Sequence, residues 1–412
     1  MTEMVRGNGA APITSQDRLG ELDVLRGFAL LGVLIANFVW FAFSENTATE
    51  AQTQGFIADN TNLAVIIFVE IFVSDKANTL FAFLFGLGFW VQMERLSVRG
   101  AAFGAIYTRR LLVLLVFGWI NLWLIWPWDI LNLYALTGFL LFLLRGLPAR
   151  AMLALGVVLA VAGRPVMEGL SKALGIYEPA SEMAFSAEAV AARQDAFING
   201  SYVDWVEAAA RLTWYDWFAN GLILAWVLYA LGRFLIGAYV ARRGWIQRSA
   251  ELLPKIRTIF RIALPLGLAL EILAMLTGDS EMLVVPGWVH EAVHMVGVPV
   301  LDIGYATGLI LLFHSPRWAG LAKIFGPVGR MALTNYLVQG VFIGFFLYSF
   351  HGGLGLSGQI QPKQTLPLCL GFFALQTVFS HWWLGRFRFG PMEWLWRALT
   401  YGKRPQMRPQ PA

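Results

Sequence analysis

The chain has 412 residues, of which 58% are hydrophobic, 14% aromatic and 14% charged. Soluble domains carry about a quarter charged residues and at most half apolar ones, so these figures exclude a water-soluble globule, and the aromatic content excludes a disordered chain. The single cysteine, Cys369, excludes an intramolecular disulfide, a Cys-rich zinc site and a CxxC redox pair. Apolar runs of about the 20 residues a bilayer requires recur along the chain. They predict helices at about Leu22 to Phe43, Thr79 to Gln92, Leu111 to Trp126, Ile130 to Leu144 and Ala151 to Leu170. A second set follows at Trp217 to Ala241, Ile259 to Leu276, Glu291 to Phe313, Met331 to Ser349 and Leu366 to Leu384. The fold class expected is all-α, a polytopic membrane bundle of about ten transmembrane helices.

The net charge is +5, and its distribution is more informative than its size. Of the 31 Lys and Arg residues, 24 fall on one side of an alternating topology, in the leader, Arg95 to Arg110, Arg145 and Arg150, Arg242 to Arg261, Arg317 to Arg330, and the tail from Arg386. Five (Arg164, Lys172, Arg193, Arg211, Lys363) fall on the other, and Lys76 and Arg233 lie within helical stretches. Basic loops stay inside, which places both termini in the cytoplasm. The first apolar segment follows about 21 polar residues and is too long for a cleavable signal, so it reads as an uncleaved span. A basic balance of this origin reports topology, and no nucleic-acid partner is expected.

Residues 1–170 form a five-helix half, 171–214 a mixed-charge extracytoplasmic loop, and 215–412 a second five-helix half with a basic tail. Between the first and second spans, Leu63 to Phe72 is apolar except for Glu70, and Ser74-Asp75-Lys76-Ala77-Asn78 then interrupts. One helix over Asn62 to Gln92 would be about 46 Å long, against a hydrocarbon core of about 30 Å. A broken span, or an interfacial helix leading into a short span, is expected there.

Charges at membrane depth cost a few kcal/mol each and mark candidate sites. With Asp23 set at zero, Arg26 lies at about −60° and Asn37 at about −40°, one narrow stripe that reaches about 16 Å beyond Arg26. The same residues are compatible with an i, i+3 ion pair at the interface and an asparagine that joins helices. Asp302 sits near the middle of the eighth span, with Glu271 as its candidate counterpart. In the ninth span Asn335 and Gln339, i, i+4, could continue a polar lining. Gly86 and Gly88 suggest close helix packing, since no strand precedes them as a phosphate loop would need.

Leu22-Asp23-Val24-Leu25-Arg26-Gly27-Phe28-Ala29-Leu30-Leu31-Gly32, closed by Asn37, resembles the opening of the YeiB-type family of bacterial multi-pass membrane proteins. The resemblance continues through Lys76, Leu80 to Gly86, Arg109-Arg110-Leu111, Asp129-Ile130-Leu131 and Tyr134-Ala135. In the second half it runs through Gly329 to Leu337 and Gly390 to Arg397, a domain of unknown function. That resemblance implies a location in the bacterial inner membrane. The opening is also similar to that of the heparan-alpha-glucosaminide N-acetyltransferases, which pass an acetyl group from cytosolic acetyl-CoA to a sugar amine across the bilayer. That similarity implies a catalytic role for Asn37. It also implies a histidine slightly further along, but none occurs between Phe38 and Asn60, and Asn121 stands where many YeiB-type relatives are expected to have one.

Acyl transfer needs a base for the acceptor proton and donors for the oxyanion. Asp129, at the turn between the third and fourth spans, and His290 and His294, i, i+4 at the outer end of the eighth, are the candidates; each also reads as a capping acid or interfacial histidine. His290 and His294 spell HExxH with Glu291, the pattern of a zinc protease, but no signature supplies a third ligand and no metal is expected. Arg109, Arg110 and the cluster Arg330, Arg386, Arg388, Arg397, Lys403 and Arg404 read as topology and anionic-lipid contacts, or as forks for coenzyme A phosphates.

Two functions follow. In the first, an acyltransferase moves an acyl group from cytoplasmic acyl-CoA, acetyl-CoA for example, to an envelope glycan, lipid or small molecule. Arg26 and the inner arginines hold the donor, Asn37 polarises its carbonyl, and Asp129 or His290 handles the proton. The acyl-CoA is a co-substrate; no permanently bound cofactor is expected. In the second, a transporter or channel passes a small, anionic solute along Asp23, Arg26, Lys76, Asp302 and Glu271, with a broken helix at the second span. The partners expected are the bilayer, the acceptor and a second copy in a homodimer.

Overall fold

The structure, a computed structural model, describes residues 20–44, 46–98, 103–278 and 285–408. Arg6, Arg18 and Arg99 of the expected basic face lie outside the described residues. Among those described there are helices and no strands. The first half comprises α1 (Gly20–Phe43), α2 (Glu50–Ile57), α3 (Asn60–Phe72), α4 (Lys76–Val98), α5 (Phe103–Leu124), α6 (Ile130–Leu144) and α7 (Ala149–Ala173). Three short helices follow, α8 (Tyr177–Phe185), α9 (Ala187–Ile198) and α10 (Tyr202–Thr213). The second half comprises α11 (Leu222–Arg242), α12 (Leu253–Thr277), α13 (Gly287–Phe313), α14 (Ala319–Arg330), α15 (Ala332–Leu347), α16 (Pro362–Leu384) and α17 (Pro391–Tyr401).

Six helices, α1, α5, α7, α11, α12 and α13, are individually long and apolar enough to cross a membrane. Two further candidates are bent pairs: α2 meets the stretch Asn60–Ser97 at 95°, and α14 meets α15 at 82°. The fold class is therefore all-helical and membrane-spanning, with six to eight such helices where hydropathy predicts about ten. The difference lies in α6, which is apolar but only 15 residues long, and in α16, whose polar residues keep it outside that set. The interruption before the second span is real: Val73 to Asp75 separate α3 from α4, and Asp75 has φ of 60°. The expected loop 171–214 is helical, because Ser186 and Ser201 cap α9 and α10 through their hydroxyls.

Contacts sort the helix ends into two faces. On one, Ser249 and His314 both bond Glu21, Arg242 reaches Leu147 O, and Trp396 donates to Arg110 O. We call this the basic face. On the opposite, loop face, Arg193 and Gln194 of α9 donate to Asn46 O and Thr47 O, and Tyr202 of α10 donates to Leu124 O. Glycines set the closest helix approaches. A Cβ on Gly86 would strike Phe234 O and one on Gly237 would strike Phe83 O, which locks α4 to α11. Gly27 and Gly329 do the same between α1 and α14.

Candidate functional site

A cavity of about 260 Å³ is walled by α1, α4, α5, α6, the α14–α15 bend and α17. Its wall on α4 follows helical spacing, Phe81, Phe85, Gly88, Gln92 and Arg95, and its wall on α5 is Tyr107, Arg110 and Leu114. Five guanidinium side chains line it: Arg26, Arg95, Arg110, Arg330 and Arg397. Asp23 and Glu393 are the carboxylates. Asp23 Oδ1 accepts from Arg26 Nη1 at 3.2 Å, and the Arg110 guanidinium lies 3.6 Å over the Trp396 ring. Gly88 leaves room for Arg26: a Cβ there would come within 3.3 Å of Arg26 Nη2.

At its far end the cavity is bounded by Ile130, Tyr134 and Tyr336. Behind them lies Asp129, fully buried, as the N-cap of α6. Its carboxylate accepts from Asn121 Nδ2 at 2.8 Å, Asn132 N at 3.0 Å and the Tyr336 hydroxyl at 3.1 Å, while Tyr336 also accepts from Ile130 N at 3.2 Å. Trp128, the preceding residue, donates to Asp216 on the loop face. The cavity thus runs from arginines at the basic face to a hydrogen-bonded Asp129–Tyr336 pair. Its cationic mouth and largely apolar shaft suit an anionic molecule with an apolar portion.

The α14–α15 bend delivers a helix N-terminus to this cavity. Glu393 of α17 accepts from Leu333 N at 2.6 Å, Thr334 N at 3.0 Å and Thr334 Oγ1 at 2.6 Å, so a carboxylate from another helix satisfies amides that Met331 leaves uncapped.

A second cluster lies outside the cavity, around the start of α4. Lys76 Nζ is 2.5 Å from Glu271 Oε2 and donates to Glu70 O at 2.6 Å. His294 bridges Glu271 Oε2 at 3.2 Å and Asp75 Oδ2 at 3.1 Å, and Arg164 reaches Asp75 at 3.4 Å. Arg233 of α11 donates to Thr79 Oγ1 at 2.8 Å and to two carbonyls.

The sequence-predicted residues therefore divide. Asp23, Arg26, Arg110 and Arg330 line the cavity and Asp129 closes it. Arg109 lies beside them but bonds Thr400 O at the end of α17. Asn37 is half-buried on α1 and does not line the cavity, although it shares the stripe of Asp23 and Arg26. Asn335 and Gln339 are in the seams of α15: Asn335 donates to Val328 O and Ser380 Oγ, and Gln339 to Leu30 O and Gln376 Oε1. Lys76 and His294 belong to the second cluster. His290 bonds Ala274 O at 2.8 Å. Both ring nitrogens of His294 face carboxylates, and no group of three His, Cys, Asp or Glu residues among those described is arranged around a metal position. Glu271 pairs with Lys76 rather than Asp302. Tyr134, Tyr336 and Glu393 belong to the family-like stretches, but the sequence assigns them no role: a tyrosine in an apolar run carries no charge signal, and Glu393 lies in a basic segment that reads as topology.

Residues 240–403 match the family model described as a protein of unknown function, DUF418. The chain is 32% identical to the uncharacterized protein YxaH of Bacillus subtilis, over 95% of this chain and 96% of that protein. It is 29% identical to the uncharacterized protein YeiB of Escherichia coli, over 93% and 96%. An uncharacterized 39.9 kDa protein in the amylase 3′ region of Bacillus acidopullulyticus is 26% identical over 95% and 96%.

Proposed function

The chain belongs to the YeiB-type family of bacterial membrane proteins, and from that premise we propose that it is an acyltransferase of the inner membrane that uses cytoplasmic acyl-CoA to acylate an envelope glycan, lipid or small molecule. The observation that carries this reading is the cavity: five arginines at one end, an apolar shaft, and Asp129 hydrogen-bonded to Tyr336 at the other. The basic face is cytoplasmic, so the donor enters there. Its phosphates meet Arg26, Arg95, Arg110, Arg330 and Arg397, and its acyl chain lies along Phe81, Phe85 and Leu114. The acceptor approaches from the side of Trp128. Its hydroxyl or amine proton passes to the Tyr336 oxygen as the Tyr336 proton passes to Asp129. The acceptor oxygen or nitrogen bonds the thioester carbon, the carbon–sulfur bond breaks, and the proton returns to the leaving thiolate. Asn37 and His290 take no part in this arrangement.

Purified protein incubated with acetyl-CoA and longer acyl-CoAs should be thermally stabilised and release free thiol. Replacing Arg110 or Arg330 by glutamine should weaken donor binding about 10- to 100-fold, the loss of one charge-assisted hydrogen bond of about 1.5–3 kcal/mol. No stabilisation across the panel sinks the enzyme reading.

The second reading, a carrier for a small anionic solute, draws on the bend between α14 and α15, a broken span whose first turn, capped by Glu393, lines the same cavity as the arginines. Proteoliposomes that carry no anion flux leave it without support.

A further inference from the structure

The sequence marks Asp302 as a carboxylate at membrane depth, and the structure shows how isolated it is. It lies about 22 Å from the start of α13 and about 16 Å from its end, so it is close to the middle of the span. Its side chain is 5% exposed, and neither carboxylate oxygen has a hydrogen-bond donor among the described residues. Glu271, also buried, bonds through Oε2 and leaves Oε1 without a donor.

The charged groups that act on Asp302 come from three packed helices: Arg233 of α11, Lys76 and Asp75 at the start of α4, and Glu271 of α12. On its own helix Tyr305 is one turn away, and its hydroxyl is committed to Phe72 O at 3.0 Å. None of the cations forms an ion pair with Asp302. Lys76 is held by Glu271 and Glu70 O, and Arg233 by Thr79, Ala160 O and Tyr229 O through Nε and Nη1, with its guanidinium over the Tyr229 ring and Nη2 buried without an acceptor. An ionised carboxylate without donor or partner is not sustained in such surroundings.

We infer that Asp302 is a proton-binding site, distinct from the cavity, beside an ionisable cluster of Lys76, Glu271, His294 and Asp75 that Arg164 of α7 borders at its partly exposed edge. The ligand is a proton taken up by the carboxylate, O–H forming at one of the two donor-free oxygens. The cluster brings the surface close to it: Asp75, His294 and Arg164 are each partly exposed, and His294 touches both Asp75 and Glu271. Helix α4 carries Lys76 at one end and Phe85, Gly88, Gln92 and Arg95 of the cavity wall along its length. A proton gained or lost beside Lys76 therefore acts on an element that shapes the cavity.

Infrared spectroscopy of the full chain in lipid bilayers tests this. At neutral pH the wild type should show the carbonyl stretch of a protonated carboxylic acid, sensitive to isotope-labelled aspartate, and that band should be lost in Asp302→Asn. An Asp302→Asn spectrum identical to wild type in this region overturns the inference. Should that variant not fold, the labelled wild type decides alone, since no label-sensitive acid band at neutral pH has the same consequence. Asp302→Leu adds a stability readout. A neutral acid tolerates the apolar side chain with its melting temperature kept or raised, whereas a large fall would reveal an ionised Asp302 that Arg233 requires.

Discussion

Gly86 and Gly88 stand two residues apart on α4 and do different things. A methyl group on Gly86 meets the backbone of Phe234, which cannot yield; on Gly88 it meets the tip of the Arg26 side chain, which can. Gly86→Ala should therefore lower stability by about 1–3 kcal/mol. Gly88→Ala should melt close to wild type and shift donor affinity instead, and calorimetry beside donor titration separates the two. Tyr336→Phe removes one of three donors to Asp129 and should cost about 1 kcal/mol of stability, with a much larger loss of thiol release from acyl-CoA. At this scale the charged residues were the legible part of the site. Asp23, Arg26, Arg110 and Arg330 stand out in an apolar chain because each is costly there. Tyr134 and Tyr336 are ordinary membrane residues until their hydroxyls find Asn78 O and Asp129.

Among the elements, the two bends are held by carboxylates. Glu393 caps α15 from a different helix, so Glu393→Ala leaves the amides of Leu333 and Thr334 uncapped and should cost about 1–2 kcal/mol, measured by thermal unfolding. At the other bend Asp59 caps α3 and bonds Lys363 Nζ at 2.6 Å, which ties the elbow to the start of α16. Lys363, then the amides of Asn62 and Thr61, holds the Asp59 carboxyl down at about 2. The folded value is below the unfolded one, near 4. Its contribution is thus complete above about pH 4 and is lost as pH falls towards 2. The melting-temperature gap between wild type and Asp59→Asn should be open at neutral pH and close over that interval. The interruption before α4 could be read from length alone, because a helix through it overshoots the bilayer. At Met331 the start of the span could be read as the edge of an apolar run, but not the 82° angle at which α14 meets it or the Glu393 that caps it, which lies far along the chain.

For the whole molecule, sidedness rests on the basic face being cytoplasmic. Cys369 is buried, so cysteines placed by substitution at Lys403 and at Glu188 report the two faces against little background. A membrane-impermeant thiol reagent added to intact cells should label the second and spare the first; the reverse pattern inverts the topology. Spans and faces were legible because apolar length and basic loops are local properties of the chain. The assembly of the cavity was not, because it joins α1 to α17 across nearly the full sequence, and the pairing of Lys76 with Glu271 crosses the same kind of distance.

That closure by α17 has a consequence for biosynthesis. Trp396, Arg397 and Tyr401 complete the cavity wall, and Glu393 secures the bend beside it. During translation α1 to α16 can insert and pack with the cavity still open on one side, and the wall is complete only once α17 has been made and seats. A chain cut short before α17 should therefore keep α1 to α16 but have an open chamber that binds no donor.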